Sequence, residues 1–398
     1  MRSLSNLTRD PAMPAEPEII YLDNNSSTCI DPAVLEEMMP FLTTRYGNPS
    51  GSHRFGAQVK KATDLAHERV AAMLGCEPGE VVFTSCGTES DNTAIHSALQ
   101  MSPERRHVVT TSVEHNAVLN YCEALVRRGY EATIVPVDEQ GHLDVEEVEA
   151  AIRPDTAIVS VMWANNETGV IYPVQKIADI CRAKGVFFHT DAVQTVGKMP
   201  IDLAGRSIHF LSLSGHKLHA PKGVGALYVN RKSRFQPLII GGPQEGGRRA
   251  GTDNVASIVG LGKAAELATE TIEEENSRVR ALRDRFEKTL RTELDDVLIN
   301  GDPKTRLPNT SNLAFIGVDA QAVLLKLDQA GICCSLGSSC TTGAIQPSHV
   351  LRAMHFSNER ARSSIRFSFG RFNTEAELDK VLEVLPGIVR KLRELVAS

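Results

Sequence analysis

Between Glu80 and Asn230 short apolar, β-branched runs alternate with amphipathic ones, and no other feature constrains the fold as much. The strand-like runs are Glu80–Ser85, Val108–Ser112, Ala132–Val137, Ala157–Trp163, Val186–His189, Phe210–Leu213 and Gly225–Val229. Several are apolar throughout, the pattern of strands covered on both faces. Helical stretches lie between them, among them Ala117–Arg128, Val145–Ile152 and Val174–Ala183. The last is entered through Pro173 and ended by Gly185, the ordinary start and stop chemistry of a helix. Strand and helix in alternation predict an α/β layer on a mostly parallel sheet.

After Gly260 the texture changes. A long charged amphipathic helix spans 261 to about 293, a mixed segment follows (Leu298–Ile316, then Ala320–Gln329), and the helix Glu375–Val396 closes the chain. This predicts a large α/β domain over 19–262 and a smaller C-terminal α+β domain over 263–398. A flexible leader, 1–18, carries Pro11, Pro14 and Pro17.

Composition narrows the function. A net charge of −6 gives no general electrostatic reason to bind nucleic acid or an anionic membrane. No apolar run approaches the ~18 residues of a membrane-spanning helix, and the leader has no apolar stretch of a secretory signal. Eight scattered cysteines do not make a disulfide framework in a chain this long. The expectation is a cytoplasmic protein with reduced thiols.

In an open parallel sheet, ligands sit outside the carboxyl ends of the strands. Polar residues collect at those ends: Thr84-Ser85-Cys86-Gly87-Thr88-Glu89-Ser90, Glu114-His115-Asn116, Asn165-Asn166-Glu167-Thr168-Gly169, Asp191-Ala192-Val193-Gln194 and Ser214-Gly215-His216-Lys217. Lys217 ends an apolar run beside a Pro221/Gly223/Gly225 turn, so it is either a surface charge or a desolvated amine suited to Schiff-base chemistry. Asp191 is either a helix cap or the partner of a buried cation. Gly87-Thr88-Glu89-Ser90 reads as a capping box or as a helix N-terminus that takes a small phosphate. His115 is a packed histidine or one that stacks and transfers protons. Cys340, among small residues in Gly337–Gly343, is a candidate nucleophile. Cys333 and Cys334 lack the paired spacing of a zinc site, which favours burial. Arg366 alternates with Ile365 and Phe367, and either faces water or forks a substrate carboxylate.

Taken in order, SGHK, TDAVQ, ANNETG, VEHNAV, TSCGTESDN and GSSCTTG followed by PSHVLRAM resemble the pyridoxal-phosphate-dependent cysteine desulfurases of the NifS/IscS type, in the class-V aminotransferase-like group. The resemblance runs from about Ile20 to about Glu377, and its wording is nearest the NifS branch, with a long cysteine loop. It implies the fold-type-I architecture of pyridoxal-phosphate enzymes, with a homodimer and a cofactor, pyridoxal 5′-phosphate, held by Lys217. By position, Lys217 also moves the substrate's α-proton, Asp191 pairs with the ring nitrogen and Gln194 with the ring hydroxyl. His115 stacks on the ring and assists proton transfer. Gly87, Thr88, Ser214 and His216 hold the phosphate, joined by Thr252 of the second subunit. Asn166 and Arg366 bind the substrate carboxylate, Asn166 also near the cofactor, and Cys340 accepts the sulfur.

The implied reaction turns L-cysteine into L-alanine and leaves a Cys340 persulfide for an iron–sulfur scaffold or another acceptor, with nitrogenase clusters, general iron–sulfur clusters and tRNA thiolation as destinations. Two departures stand out: Cys86-Gly87 where many relatives have Gly-Ala, and Cys333-Cys334 where most have small residues. The alternatives are a selenocysteine lyase on the same fold, a kynureninase-type lyase, and a non-enzymatic metal or iron–sulfur carrier using Cys333, Cys334 and Cys340.

Overall fold

The computed structural model describes residues 19–336 and 347–397, so Cys340 and the leader lie outside the described residues. After a short strand β1 (Ile20–Tyr21), seven strands build the main sheet: β2 (Val81–Thr84), β3 (His107–Thr111), β4 (Glu131–Val135), β5 (Thr156–Ser160), β6 (Phe187–Asp191), β7 (Phe210–Ser214) and β8 (Gly225–Val229). Their spatial order is β2-β8-β7-β6-β5-β3-β4. All run parallel except β8, which is antiparallel to β7 and β2. The link from Ser214 to Gly225 is shorter than the crossover of about a dozen residues that a parallel neighbour requires.

The apolar-throughout runs occupy the middle of this sheet. Every residue of β3, β5, β7 and β8 is buried, whereas β4, at the edge, is mostly not. Successive residues go to opposite faces: Ile158 and Phe210 join one hydrophobic cluster, Val159 and Leu211 the other. Helices cover both sides, among them α1 (Pro32–Thr43), α2 (Arg54–Leu74), α3 (Gly87–Met101), α4 (Asn116–Val126), α5 (Val145–Ala151) and α6 (Val174–Ala183).

The long helix α7 (Val255–Glu293) begins six residues earlier than its charge pattern suggests. Its first part buries Leu261, Ala264, Ala265 and Ala268 on the large core, and its last part buries Val279, Leu282, Phe286 and Leu290 in a separate cluster. The polar stretch between Ala268 and Val279 spans the gap, so the boundary expected after residue 262 falls inside a continuous helix.

The second cluster is enclosed by β9 (Val297–Ile299), β10 (Thr310–Phe315), α8 (Ala320–Gln329), β11 (Ile332–Cys333), β12 (Ser364–Ser368) and α11 (Glu375–Ala397), while the short helices α9 (His349–Ala353) and α10 (Asn358–Arg362) pack Val350, Leu351 and Ala361 on the large core. β12, β10 and β9 form an antiparallel sheet. The start of the described chain belongs here too, a correction to the domain limits read from sequence. β1 pairs in parallel with β11, and Ile20 and Leu22 are buried with Phe286, Phe315 and Phe367.

Candidate active site

A cleft of about 560 Å³ opens at the carboxyl ends of the parallel strands, within the size range of small-molecule sites. Gly87, Thr88, His115, Asn166, Asp191, Gln194, Ser214, His216, Lys217 and Arg366 all line it. Thr252 does not: it is exposed, on the loop before α7.

Lys217 ends a short 3-10 turn after β7. Its Nζ donates to the backbone carbonyls of Asn25 (2.5 Å) and Ser26 (2.6 Å). Burial, with the nearby Arg366 charge, pushes its pKa down to about 8. A lysine so placed is a ready source of free amine.

Asp191 closes β6 and is buried. One oxygen accepts from Val193 N–H at 2.8 Å, which closes a turn; no helix follows, so Asp191 is not the helix cap considered from sequence. Among the described residues it has no ion-pair partner, and burial raises its pKa while His115 and Lys217 oppose the rise. A cation at this carboxylate would complete it.

His115 is the N-cap of α4, its Nδ1 accepting from Ala117 N–H at 3.1 Å. In the neutral ring the proton therefore sits on Nε2. Burial lowers its pKa, which keeps the ring neutral. His216 is likewise pushed down to about 4, by burial first and then by lysine charges.

Helix α3 starts at the cleft with Cys86 as its N-cap, and that residue makes no side-chain cap bond. The capping box considered from sequence does not form there; Glu89 instead accepts from Ser85 N–H (2.8 Å) and pairs with Arg249 (2.9 Å). The first-turn N–H groups are thus left to an anion. Gly87 is required by space, since a Cβ would lie 2.7 Å from Val193 Cγ2.

Arg366 comes from β12 of the small layer and is buried, facing the cleft and not water. Its guanidinium donates to Asn166 O (3.0 Å), Asp23 Oδ1 (2.7 Å) and Ser26 Oγ (2.9 Å). Its Nε makes no hydrogen bond among the described residues. The bland alternative for Cys333 and Cys334 agrees with their surroundings: both are half-buried, and burial raises both thiols.

Several buried polar residues here had no role assigned from sequence. Asp91, four residues after Gly87 on α3, lines the cleft beneath it, and that helical spacing could have found it. Glu114 accepts from Thr111 Oγ1 (2.8 Å) and Met162 N–H (2.9 Å), and burial pushes it up to about 8. Glu167 accepts from Ser348 Oγ at 2.5 Å. Lys198, with no sequence pattern to mark it, donates to Gln194 Oε1 at 3.0 Å.

Residues 20–381 match the family described as Aminotransferase class-V. The chain belongs to the class-V aminotransferase family. It is 53% identical over 377 residues to a cysteine desulfurase of a Nostoc species, covering 95% of this chain and 94% of that one. It is 52% identical over 377 residues to the cysteine desulfurase NifS of Azotobacter vinelandii, covering 94% of each. Among solved structures, one titled NifS-like protein superposes with a TM-score of 0.86 at 36% identity, covering 96% of this chain and 100% of that one. Enzymes of this class-V family depend on pyridoxal phosphate. The residues present fit that group: a buried amine, a buried carboxylate lacking a cation, and an uncapped helix N-terminus surround one cleft. No helix among the described residues is long and apolar enough to cross a membrane.

Proposed function

We propose that this protein is a cysteine desulfurase that converts L-cysteine to L-alanine and passes the sulfur through Cys340 to an iron–sulfur scaffold or another acceptor protein, nitrogenase clusters being one destination. The observation that carries this is the meeting of Lys217, Asp191 and Arg366 in one cleft. Bound pyridoxal phosphate supplies the electron sink that acidifies the substrate's α-proton.

The chain's own residues do the rest. Arg366 and Asn166 hold the substrate carboxylate, a match for a planar guanidinium. Lys217 would hold the cofactor and, as a free amine once the substrate has displaced it, carry the α-proton, a task that the lowering of its pKa by burial favours. Asp191 would hold a proton on the ring nitrogen, Gln194 would hydrogen-bond the ring hydroxyl, and the neutral His115 would stack on the ring. Gly87, Thr88, Ser214 and His216 hold the phosphate, with Thr252 supplied by the second subunit of a homodimer. The Cys340 thiolate attacks the substrate sulfur and the Cβ–S bond breaks. The carbon skeleton takes up a proton and leaves as alanine, while Cys340 keeps the sulfur as a persulfide. The location that goes with this reading is the cytoplasm.

The test is alanine released from L-cysteine under thiol reductant, wild type beside Cys340→Ala. Release by wild type alone supports the assignment. Equal release by both moves the reading to a lyase of the selenocysteine type, and release by neither rejects the reaction.

A further inference from the structure

Lys217 is not the only lysine at this site. Lys198 follows Gln194 by four residues, past a left-handed turn at Gly197 (φ +75°), where a Cβ would run into Leu218. Its Nζ donates to the Gln194 backbone carbonyl at 3.2 Å and to Gln194 Oε1 at 3.0 Å. The other end of that amide, Nε2, donates to the Asn25 carbonyl at 2.9 Å. The same carbonyl accepts from Lys217 Nζ at 2.5 Å. A hydrogen-bonded line therefore runs Lys198–Gln194–Asn25–Lys217, and the proposed reaction makes no use of its first member. The two lysines also border one small cavity of about 40 Å³ behind the cleft.

The two ends of a glutamine amide are nearly the same shape but opposite in chemistry. Packing alone does not choose between them. A lysine with two oxygens in reach does, because an ammonium only donates. Burial and the Lys217 and Arg366 charges push Lys198 down to about 7, yet its N–H groups still face the Gln194 carbonyl and Oε1. With Lys198 on one side and the Asn25 carbonyl on the other, only one orientation satisfies both neighbours: oxygen toward Lys198, NH2 toward Asn25 and the cleft. The opposite orientation sets N–H against N–H at Lys198 and oxygen against oxygen at Asn25.

We infer that Lys198 is a positioning residue that locks the Gln194 amide with its donor end toward the cleft. This rests on the cofactor reading above, in which that donor meets the ring hydroxyl. Lys198 itself touches no reacting atom.

The experiment uses the holoenzyme and follows the pH midpoint of the bound cofactor's visible absorbance change. A donor to the ring-hydroxyl oxygen stabilises its anionic form, so losing the donor moves the midpoint upward. For Lys198→Met the expected shift is about 0.4–1 pH unit, a hydrogen bond of about 0.5–1.5 kcal/mol converted at about 1.36 kcal/mol per unit. Lys198→Arg, still a pure donor, keeps the wild-type midpoint. Gln194→Leu shifts it as Lys198→Met does, and the double variant shifts no further, because both remove one interaction. An unchanged midpoint in Lys198→Met, or a shift that adds to that of Gln194→Leu, overturns the inference. If Lys198→Met does not fold, Lys198→Gln, which both donates and accepts, carries the same comparison. A wild-type protein without cofactor absorbance overturns the reading of the site and the inference together. Absorbance with an additive cycle overturns the inference alone.

Discussion

Arg366 and Ser335 exchange both backbone hydrogen bonds, Arg366 N–H to Ser335 O at 2.7 Å and Ser335 N–H to Arg366 O at 3.1 Å. The strand that aims a guanidinium into the cleft is therefore the main-chain partner of the stretch that leads, five residues on in sequence, to Cys340. Lys217 and Asp191 ride on the large sheet, Arg366 on the small one. A cofactor on Lys217 and Asp191 and a substrate carboxylate on Arg366 would meet across the seam between the two hydrophobic clusters.

Arg366→Lys keeps the charge and loses the planar fork. The expected result is a rise of roughly tenfold in KM for L-cysteine, about 1.4 kcal/mol of ground-state binding, with kcat falling less. Steady-state alanine release measures it. An unchanged KM would mean that the guanidinium serves only Asp23 and Asn166.

Asp191→Asn removes the negative charge while keeping an acceptor for Val193 N–H. A hydrogen bond to a charged group is worth about 1.5–3 kcal/mol, so alanine release should fall roughly ten- to hundredfold while cofactor absorbance persists. Full activity in this variant would remove Asp191 from the ring-nitrogen role.

Lys217 makes the cofactor-free protein pay a pH-dependent cost. Its pKa is lowered from 10.5 to about 8. Between those values the unfolded chain holds a proton that the folded one does not, so stability rises with pH across that window. Below pH 8 the cost is fully present, at most roughly 3 kcal/mol. Lys217→Met relieves it but gives up two bonds to carbonyls, about 1 kcal/mol each. With the cofactor removed, the variant should be more stable than wild type by about 1 kcal/mol at pH 7, and not at pH 10.5. Urea unfolding at both pH values checks this, and the same difference at both would contradict the burial argument.

What could be read from the sequence divides along physical lines. The strands of the main sheet announced themselves because both their faces are covered, as in Ala157–Trp163 and Phe210–Leu213. The direction of β8 left no trace in periodicity, although the short link after Ser214 carried it. Placing Ile20 and Leu22 with the small cluster needed a parallel pairing between residues some three hundred positions apart, which no local pattern encodes. At the site, the residues at strand ends were visible as polar runs after apolar ones. Glu114 and Glu167 stood inside those runs, but their burial, and so their chemistry, depends on what packs over them from Ser348 and His349. Lys198 was silent because its partner is set by the turn at Gly197 and not by a helix or strand repeat.

Ser348 stands between the cleft-lining residues Pro347 and His349. Its hydroxyl donates to Glu167 Oε2 at 2.5 Å and, as N-cap of α9, accepts from Leu351 N–H at 3.2 Å. Glu167 is 1% exposed, and burial raises its pKa while the Ser348 hydroxyl opposes the rise. Ser348→Ala removes the cap, about 1 kcal/mol, and leaves a buried carboxylate oxygen without its donor, about 1–3 kcal/mol. The hydroxyl favours the ionised form of Glu167, so its contribution is present while Glu167 is charged and is lost as pH falls through the folded pKa. The unfolding midpoint in urea should therefore drop at pH 8 and drop less in acid, where only the cap is missing. Glu167→Gln, which keeps an acceptor for Ser348 and carries no charge, should show no such extra loss at high pH. Equal losses for Ser348→Ala at both pH values would mean that the cap alone matters and that Glu167 is neutral in the folded protein throughout.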